Sequence, residues 1–251
     1  MIDLNADLGE GVGDDRAMLA IVASASIACG GHAGDETTMR NAVRAALANG
    51  VRIGAHPGFA DPEHFGRRRL DLPVEIVCDQ VLSQIAALDA IVAQEGGTIA
   101  YLKLHGALAN MAAEDARLAG AIFSAVTAHA PGMAILALAG SAQETAARAL
   151  GLDVIAEAYA DRAYGADGLL VSRNLPGAVI DDVEAVVARC LRLAASGEIV
   201  AIDGTVLTSR ARSICLHGDT PGAVALAESV RQALESAGHM TPRTAQRSPL
   251  R

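Results

Sequence analysis

Seven short apolar runs recur along the chain, separated by longer stretches whose apolar residues return with a helical period, and this alternation points to βα units around a parallel sheet. The runs are residues 2–7, 26–29, 51–55, 100–104, 134–138, 154–158 and 213–216, and each predicts a strand. The stretches 35–49, 73–94, 115–129, 141–150, 176–195 and 221–237 predict helices. Asn49-Gly50, Glu95-Gly96-Gly97 and Leu150-Gly151 put residues tolerant of positive φ where a helix must stop, and Pro73, Pro176 and Pro221 stand where one can start. Alternation alone suits a closed barrel or an open doubly wound sheet. The preferred reading is an α/β fold: a single-domain seven-stranded parallel (β/α) barrel over residues 1–240, with residues 241–251 as a flexible tail.

The core of such a barrel must be aliphatic, because aromatic residues make up 2% of the chain and Trp is absent while hydrophobic residues reach 51%. A formal charge of -9 would repel polyphosphate, which argues against a nucleic-acid partner. Cys29, Cys78, Cys190 and Cys215 form no C-x-x-C pair and read as free buried thiols. The N-terminus lacks the basic and apolar regions of a signal peptide, and charged or polar residues interrupt every Ala-rich stretch, so a cytoplasmic protein without membrane insertion is expected. Two connections, residues 57–72 and 159–175, are longer than compact packing needs and are rich in Arg, Asp, Gly and Tyr, which marks them as functional loops.

Five predicted strands end in a polar residue followed by small or turn-forming residues: Asp7-Leu8-Gly9-Glu10, Gly31-His32-Ala33-Gly34, His56-Pro57-Gly58, His105-Gly106-Ala107 and His217-Gly218-Asp219. The carboxyl ends of parallel barrel strands converge on one face, so four imidazoles and a carboxylate would meet there. A single histidine on an apolar face is ordinarily a satisfied structural group; four in equivalent positions indicate a site. Such a cluster could move protons or, through Asp7, His32 and His56, hold a divalent metal, and spacing does not choose between them. Lys103 shares a strand face with His105, where an unpaired ammonium would be costly, so it requires a substrate anion or a barrel carboxylate, Asp7 or Asp3. Gly66-Arg67-Arg68-Arg69 and the group Asp161, Arg162, Asp167 and Arg173 are either solvated or ion-paired loop residues or an anion site. No P-loop, G-x-S-x-G elbow or kinase signature occurs, so the chain shows no nucleotide site of its own.

Asp3-Leu4-Asn5-Ala6-Asp7-Leu8-Gly9-Glu10, Ala28-Cys29-Gly30-Gly31-His32-Ala33-Gly34-Asp35 and Gly54-Ala55-His56-Pro57-Gly58 resemble the LamB/YcsF lactam-utilisation family. Phe65-Gly66-Arg67-Arg68, Lys103-Leu104-His105-Gly106-Ala107-Leu108, Glu157-Ala158-Tyr159-Ala160-Asp161-Arg162 and Cys215-Leu216-His217-Gly218-Asp219-Thr220 follow in the family's order, so the resemblance spans nearly the whole chain. It implies a seven-stranded barrel related to the glycoside hydrolase and deacetylase barrels. It also implies the A-type component of an ATP-dependent 5-oxoprolinase, which opens the lactam of 5-oxoproline to glutamate with two further subunits of B and C type, ATP being bound by those partners.

On this reading Asp7 or one of His32, His56 and His105 activates water, another histidine protonates the departing nitrogen, and Lys103 with an arginine holds the substrate carboxylate. Asn5, Glu10, Arg67, Arg68, Asp161, Arg162, Arg173, His217 and Asp219 are assigned to substrate binding. Ala6, Gly31, Leu104 and Ala109 depart from the family's usual residues, and Gly31 and Ala109 are expected to enlarge the pocket. A stand-alone metal-dependent amidase or deacetylase and a non-catalytic ligand-binding subunit remain the alternatives, and self-association into a homo-oligomer stays open.

Overall fold

The computed structural model describes residues 1–218 and 222–240, which leaves Pro221, Asp219 and the predicted tail outside the described residues. Among the described residues nine strands form in chain order: β1 (Asp3–Leu8), β2 (Ser24–Ala28), β3 (Arg52–His56), β4 (Ile99–Leu102), β5 (Ala134–Leu138), β6 (Val154–Tyr159), β7 (Glu198–Val200), β8 (Val206–Thr208) and β9 (Ser213–His217). The α-helices that accompany them are α1 (Asp15–Leu19), α2 (Glu36–Asn49), α3 (Val74–Gln94), α4 (Gly106–Glu114), α5 (Ala116–His129), α6 (Ala142–Ala149), α7 (Val183–Ser196) and α8 (Ala223–Ser236). β1 to β6 and β9 close in that order into a parallel barrel, β9 pairing with both β6 and β1. All seven predicted strands are present, and the sheet is the closed barrel, not the open alternative.

Three features differ from the sequence expectation. β7 and β8 form an antiparallel hairpin between α7 and the last barrel strand; each is three residues long, too short to leave a period. α4 starts directly at the His105-Gly106 turn and ends at Asp115, whose carboxylate accepts from the backbone N–H groups of Arg117 and Leu118 to start α5. α7 begins at Val183 and not near Pro176, because Gly177 adopts φ 76° in a turn and the Asp182 carboxylate caps the later start by accepting from Ala185 N–H.

The outer ring is what the composition requires. α2 opens on a capping box between Asp35 and Thr38 and stops at Gly50 in the left-handed region. α3 is apolar and long enough to cross a membrane by length and composition; here its buried stripe of Val77, Val81, Ile85, Leu88 and Val92 faces the core.

Inside the barrel, alternate residues of several strands build a polar column where aliphatic layers are usual. At its base Asp3 accepts from Ser24 and Ser213 hydroxyls at 2.9 and 3.0 Å and pairs with Arg52 at 3.0 Å. Above it the Asn5 amide donates to Ser213 Oγ at 2.8 Å, while the Tyr101 ring fills the space that Gly54 leaves by lacking a Cβ. Near the top Lys103 Nζ, in a side chain only 2% exposed, lies 2.9 Å from Asp7 Oδ1 and 2.9 Å from Glu157 Oε1. Burial alone would lower the lysine's pKa, but Asp7 and its other acidic neighbours hold it well above the ordinary range, so the ammonium persists. Burial likewise would raise Asp7, yet His56, when it carries a second proton, and Lys103 hold its carboxyl well below the usual range. Lys103→Met would strand two buried carboxylates and is expected to cost about 3–5 kcal/mol of unfolding free energy, measured by urea denaturation.

Candidate functional site at the carboxyl end of the barrel

Asp7, His56, His105 and His217 come from four different strand ends and line one cavity of about 460 Å³ with Glu10 and Tyr159. The two long loops supply its cationic side: Arg67 and Arg69 from residues 57–72, and Arg162 and Arg173 from residues 159–175. Both loops expected to be functional therefore reach the site.

The loop after β3 folds down on the imidazoles. A Cβ at Gly66 would lie 2.7 Å from His32 Cβ, and one at Gly58 would lie 3.1 Å from His105 Cβ, so these glycines let backbone pass directly over the rings. Phe65 takes φ 54°, unusual for a residue with a side chain. Its carbonyl accepts from His105 Nε2 at 2.9 Å. The Lys103 carbonyl accepts from His56 Nδ1 at 2.9 Å. A carbonyl only accepts, so these bonds place the ring hydrogens on His56 Nδ1 and His105 Nε2. His56 Nε2 and His105 Nδ1 then face each other at 3.0 Å, with Asp7 Oδ2 3.3 Å from the first and Glu10 Oε1 3.5 Å from the second. His32, 1% exposed, stacks on His105 with ring centroids 3.5 Å apart and has Nε2 3.1 Å from Glu10 Oε1. Burial and the neighbouring rings push His105 well below the ordinary histidine range, and burial lowers His32, so both are neutral near pH 7.

Glu10, His32, His56 and His105 each offer one ligand atom within 4.8 Å of the others, a grouping that could hold a metal ion. His32 and His56 belong to the set expected from sequence. Glu10 and His105 join them where Asp7 was expected; Asp7 turns one oxygen to Lys103.

A second constellation forms across the cavity. Arg173 donates to His217 Nε2 at 2.8 Å, so His217 carries its hydrogen on Nδ1 and donates to Asp161 at 2.8 Å. Burial would raise the Asp161 carboxyl, yet His217 and Arg173 hold it below its ordinary value. This chain aims the Arg173 guanidinium at the cavity. Arg162 spends Nε on the Ala178 carbonyl and a terminal nitrogen on the Val171 carbonyl, which pins its loop.

Other sequence candidates lie elsewhere. Asn5 is fully buried in the column below the cavity, Lys103 is covered by its two carboxylates, and Arg68 is exposed with Asp61 3.6 Å away. Asp219 lies outside the described residues. Gly31 does not enlarge this cavity: the Gln84 carboxamide occupies its missing side-chain space, 2.1 Å from where a Cβ would be, and bonds both the N–H and the carbonyl of Gly58. Ala109 does line the wall. Sequence reasoning missed Glu157, although a buried lysine needing compensation and a carboxylate two residues before a strand end were both visible. It also missed the Phe65 carbonyl, because a backbone acceptor has no residue-type signature.

The LamB/YcsF family model matches residues 2–248. The lactam utilization protein from Thermus thermophilus is 43% identical over 94% of this chain and 97% of its own, with a TM-score of 0.88. Two more distant structures share only the fold. A putative cellobiose-phosphate cleavage protein from Enterococcus faecalis has 12% identity over 94% of each chain and a TM-score of 0.58. A family 4 carbohydrate esterase from Streptomyces lividans has 12% identity over 94% of this chain and 88% of its own, with a TM-score of 0.50. The length of the family match and the identity to the Thermus protein agree, and the chain belongs to the LamB/YcsF family.

Proposed function

We propose that this chain is the lactam-opening hydrolase subunit of a cytoplasmic ATP-dependent 5-oxoprolinase, which converts 5-oxoproline to glutamate with two further subunits of B and C type that use the ATP. The observation that carries the reading is one cavity with a neutral imidazole and carboxylate floor facing an arginine oriented by Asp161 and His217. A five-membered lactam bearing a carboxylate matches both halves. Arg173 takes the carboxylate, and the lactam ring lies over His56 and His105. The volume of about 460 Å³ exceeds what 5-oxoproline fills, which leaves room for an activated form of it.

An unstrained lactam is a poor electrophile at neutral pH, which is why ATP-driven activation by the partners belongs to the proposal. Within the cavity, His56 Nε2 is the base for water, since its Nδ1 hydrogen is committed to the Lys103 carbonyl and Asp7 stands 3.3 Å away to stabilise the imidazolium that forms. His105 adjoins it and can relay that proton to the departing nitrogen. Lys103 acts from beneath, keeping Asp7 ionised.

A second reading, an amidase working without ATP, is favoured by one observation, the ligand spacing of Glu10, His32, His56 and His105. Purified chain combined with its B- and C-type partners, 5-oxoproline and ATP is expected to form glutamate, and to form none when ATP or either partner is withheld. Glutamate formed by the chain alone would favour the second reading; none from the complete mixture would sink the first. His105→Ala should lower kcat by about 10²- to 10⁴-fold. Arg173→Ala should raise KM for 5-oxoproline by about 10- to 100-fold with a smaller effect on kcat, as expected when a charge-assisted contact to a remote carboxylate is lost.

A further inference from the structure

We infer that Glu10, His32, His56 and His105 bind one divalent transition-metal ion at the floor of the cavity. Hydrogen positions point to it first. His56 Nδ1 donates to the Lys103 carbonyl and His105 Nε2 donates to the Phe65 carbonyl, each at 2.9 Å, so both rings are committed to one tautomer when neutral. The nitrogens left over, His56 Nε2 and His105 Nδ1, each present a lone pair and stand 3.0 Å apart. Two lone pairs do not bond one another. Glu10 Oε1 lies 3.5 Å from His105 Nδ1 and Asp7 Oδ2 lies 3.3 Å from His56 Nε2, which adds negative charge to the same place. Such an arrangement is repulsive unless a cation joins it.

A proton on His56 would relieve the contact with His105, but it leaves the rest of the grouping unexplained. Four ligand atoms, three imidazole nitrogens and one carboxylate oxygen, lie within 4.8 Å of one another. Zinc-to-nitrogen bonds of about 2.0–2.1 Å in a tetrahedron place neighbouring ligand atoms roughly 3.3 Å apart. The contacts of 3.0 Å between His56 and His105, 3.1 Å between His32 and Glu10 and 3.5 Å between His105 and Glu10 are close to that edge; the other three separations lie within 4.8 Å, and the stacked His32 and His105 rings must turn for both to reach one ion. His32 is 1% exposed and donates from Nε2 to Glu10 at 3.1 Å, so for Nε2 to bind an ion that hydrogen must move to Nδ1, which has no hydrogen-bond partner among the described residues to oppose it. Carbonyl acceptors on the far nitrogens of His56 and His105 are the supports that ligating histidines ordinarily have, and they orient the free nitrogens inward. The left-handed backbone of Phe65 and the glycines at 58 and 66 keep the overlying loop against the rings.

Three imidazoles and one carboxylate select an ion of the zinc, cobalt, nickel or ferrous class over magnesium or calcium, which take oxygen ligands. Glu10, His56 and His105 also line the cavity, so the ion borders the space the substrate enters. When bound it supplies a Lewis acid there. The inference does not require the lactam reading, since the donor geometry is independent of the substrate; a nitrogen that holds an ion has no lone pair left for a proton, so His56 and His105 serve either as base and relay or as ligands.

The test uses the full chain without an affinity tag, stripped with chelator and titrated separately with Zn²⁺ by calorimetry and with Co²⁺ by visible absorption. One equivalent of each ion is expected, with cobalt ligand-field bands of a low-coordinate nitrogen and oxygen site. Glu10→Gln and His105→Ala should weaken binding by at least about tenfold, while His64→Ala, on an exposed histidine outside the cluster, leaves it unchanged. Circular dichroism shows whether each variant is folded. Failure of the folded wild-type chain to take up either ion, or equal affinity in folded Glu10→Gln and His105→Ala, would overturn the proposal and assign the shared cation to a proton. These readouts are separate from ATP-dependent glutamate formation, so each proposal can fail without the other.

Discussion

The ammonium of Lys103 inside the barrel is the interaction on which the site depends. An aliphatic interior could not hold Asp7 ionised below the histidines, because a lone buried carboxylate protonates to escape its desolvation cost. Lys103 lies 2.9 Å from both Asp7 and Glu157 and so supports one carboxylate at the cavity floor and another below it. The rest of the polar column, from Asp3 with its two serines up through Asn5, continues the same rule that each buried polar group finds a partner on a neighbouring strand. Closure of the sheet makes this satisfiable. In a barrel the interior groups of β1, β4, β6 and β9 all face one axis, whereas an open sheet would leave some without a partner.

Over this column the loop after β3 performs a different task. Its backbone chooses which nitrogen of His105 is free, through a carbonyl held in place by a residue at positive φ, while the Lys103 carbonyl just past β4 does the same for His56. Because the acceptors are main-chain carbonyls, no rotamer change of a partner side chain can undo the selection. Across the cavity the selection is made by side chains, Arg173 on one nitrogen of His217 and Asp161 on the other. The two halves are thus different in kind: an electron-rich floor whose tautomers are set by backbone, and a cationic wall whose Arg173 is oriented by a side-chain chain of hydrogen bonds through His217 to Asp161.

Much of this was legible in the residue pattern. The seven strands were readable because parallel barrel strands are buried on both faces and leave short, mostly apolar runs even where Asp3, Asn5 or Glu157 turns a polar side chain inward, and the convergence of Asp7, His56, His105 and His217 followed from their positions at strand ends. The hairpin of β7 and β8 was not readable, since three residues carry no period. Gly31 shows a deeper limit. A missing side chain suggests empty space, but the Gln84 carboxamide from α3 fills it, and only packing reveals what enters a gap.

By itself the sequence determined the α/β alternation, the strand-end chemistry and the need of Lys103 for a carboxylate, because each is a property of residue type at a given period. Tertiary structure decided closure of the barrel, the choice of Glu157 as the second carboxylate, the exchange of Asp7 for Glu10 and His105 in the ligand-spaced group, and the direction of the ring hydrogens of His56, His105 and His217. Those outcomes are distances between atoms remote in the chain, and several turn on groups, a backbone carbonyl or a loop carboxylate, whose position depends on how the connections fold back over the sheet.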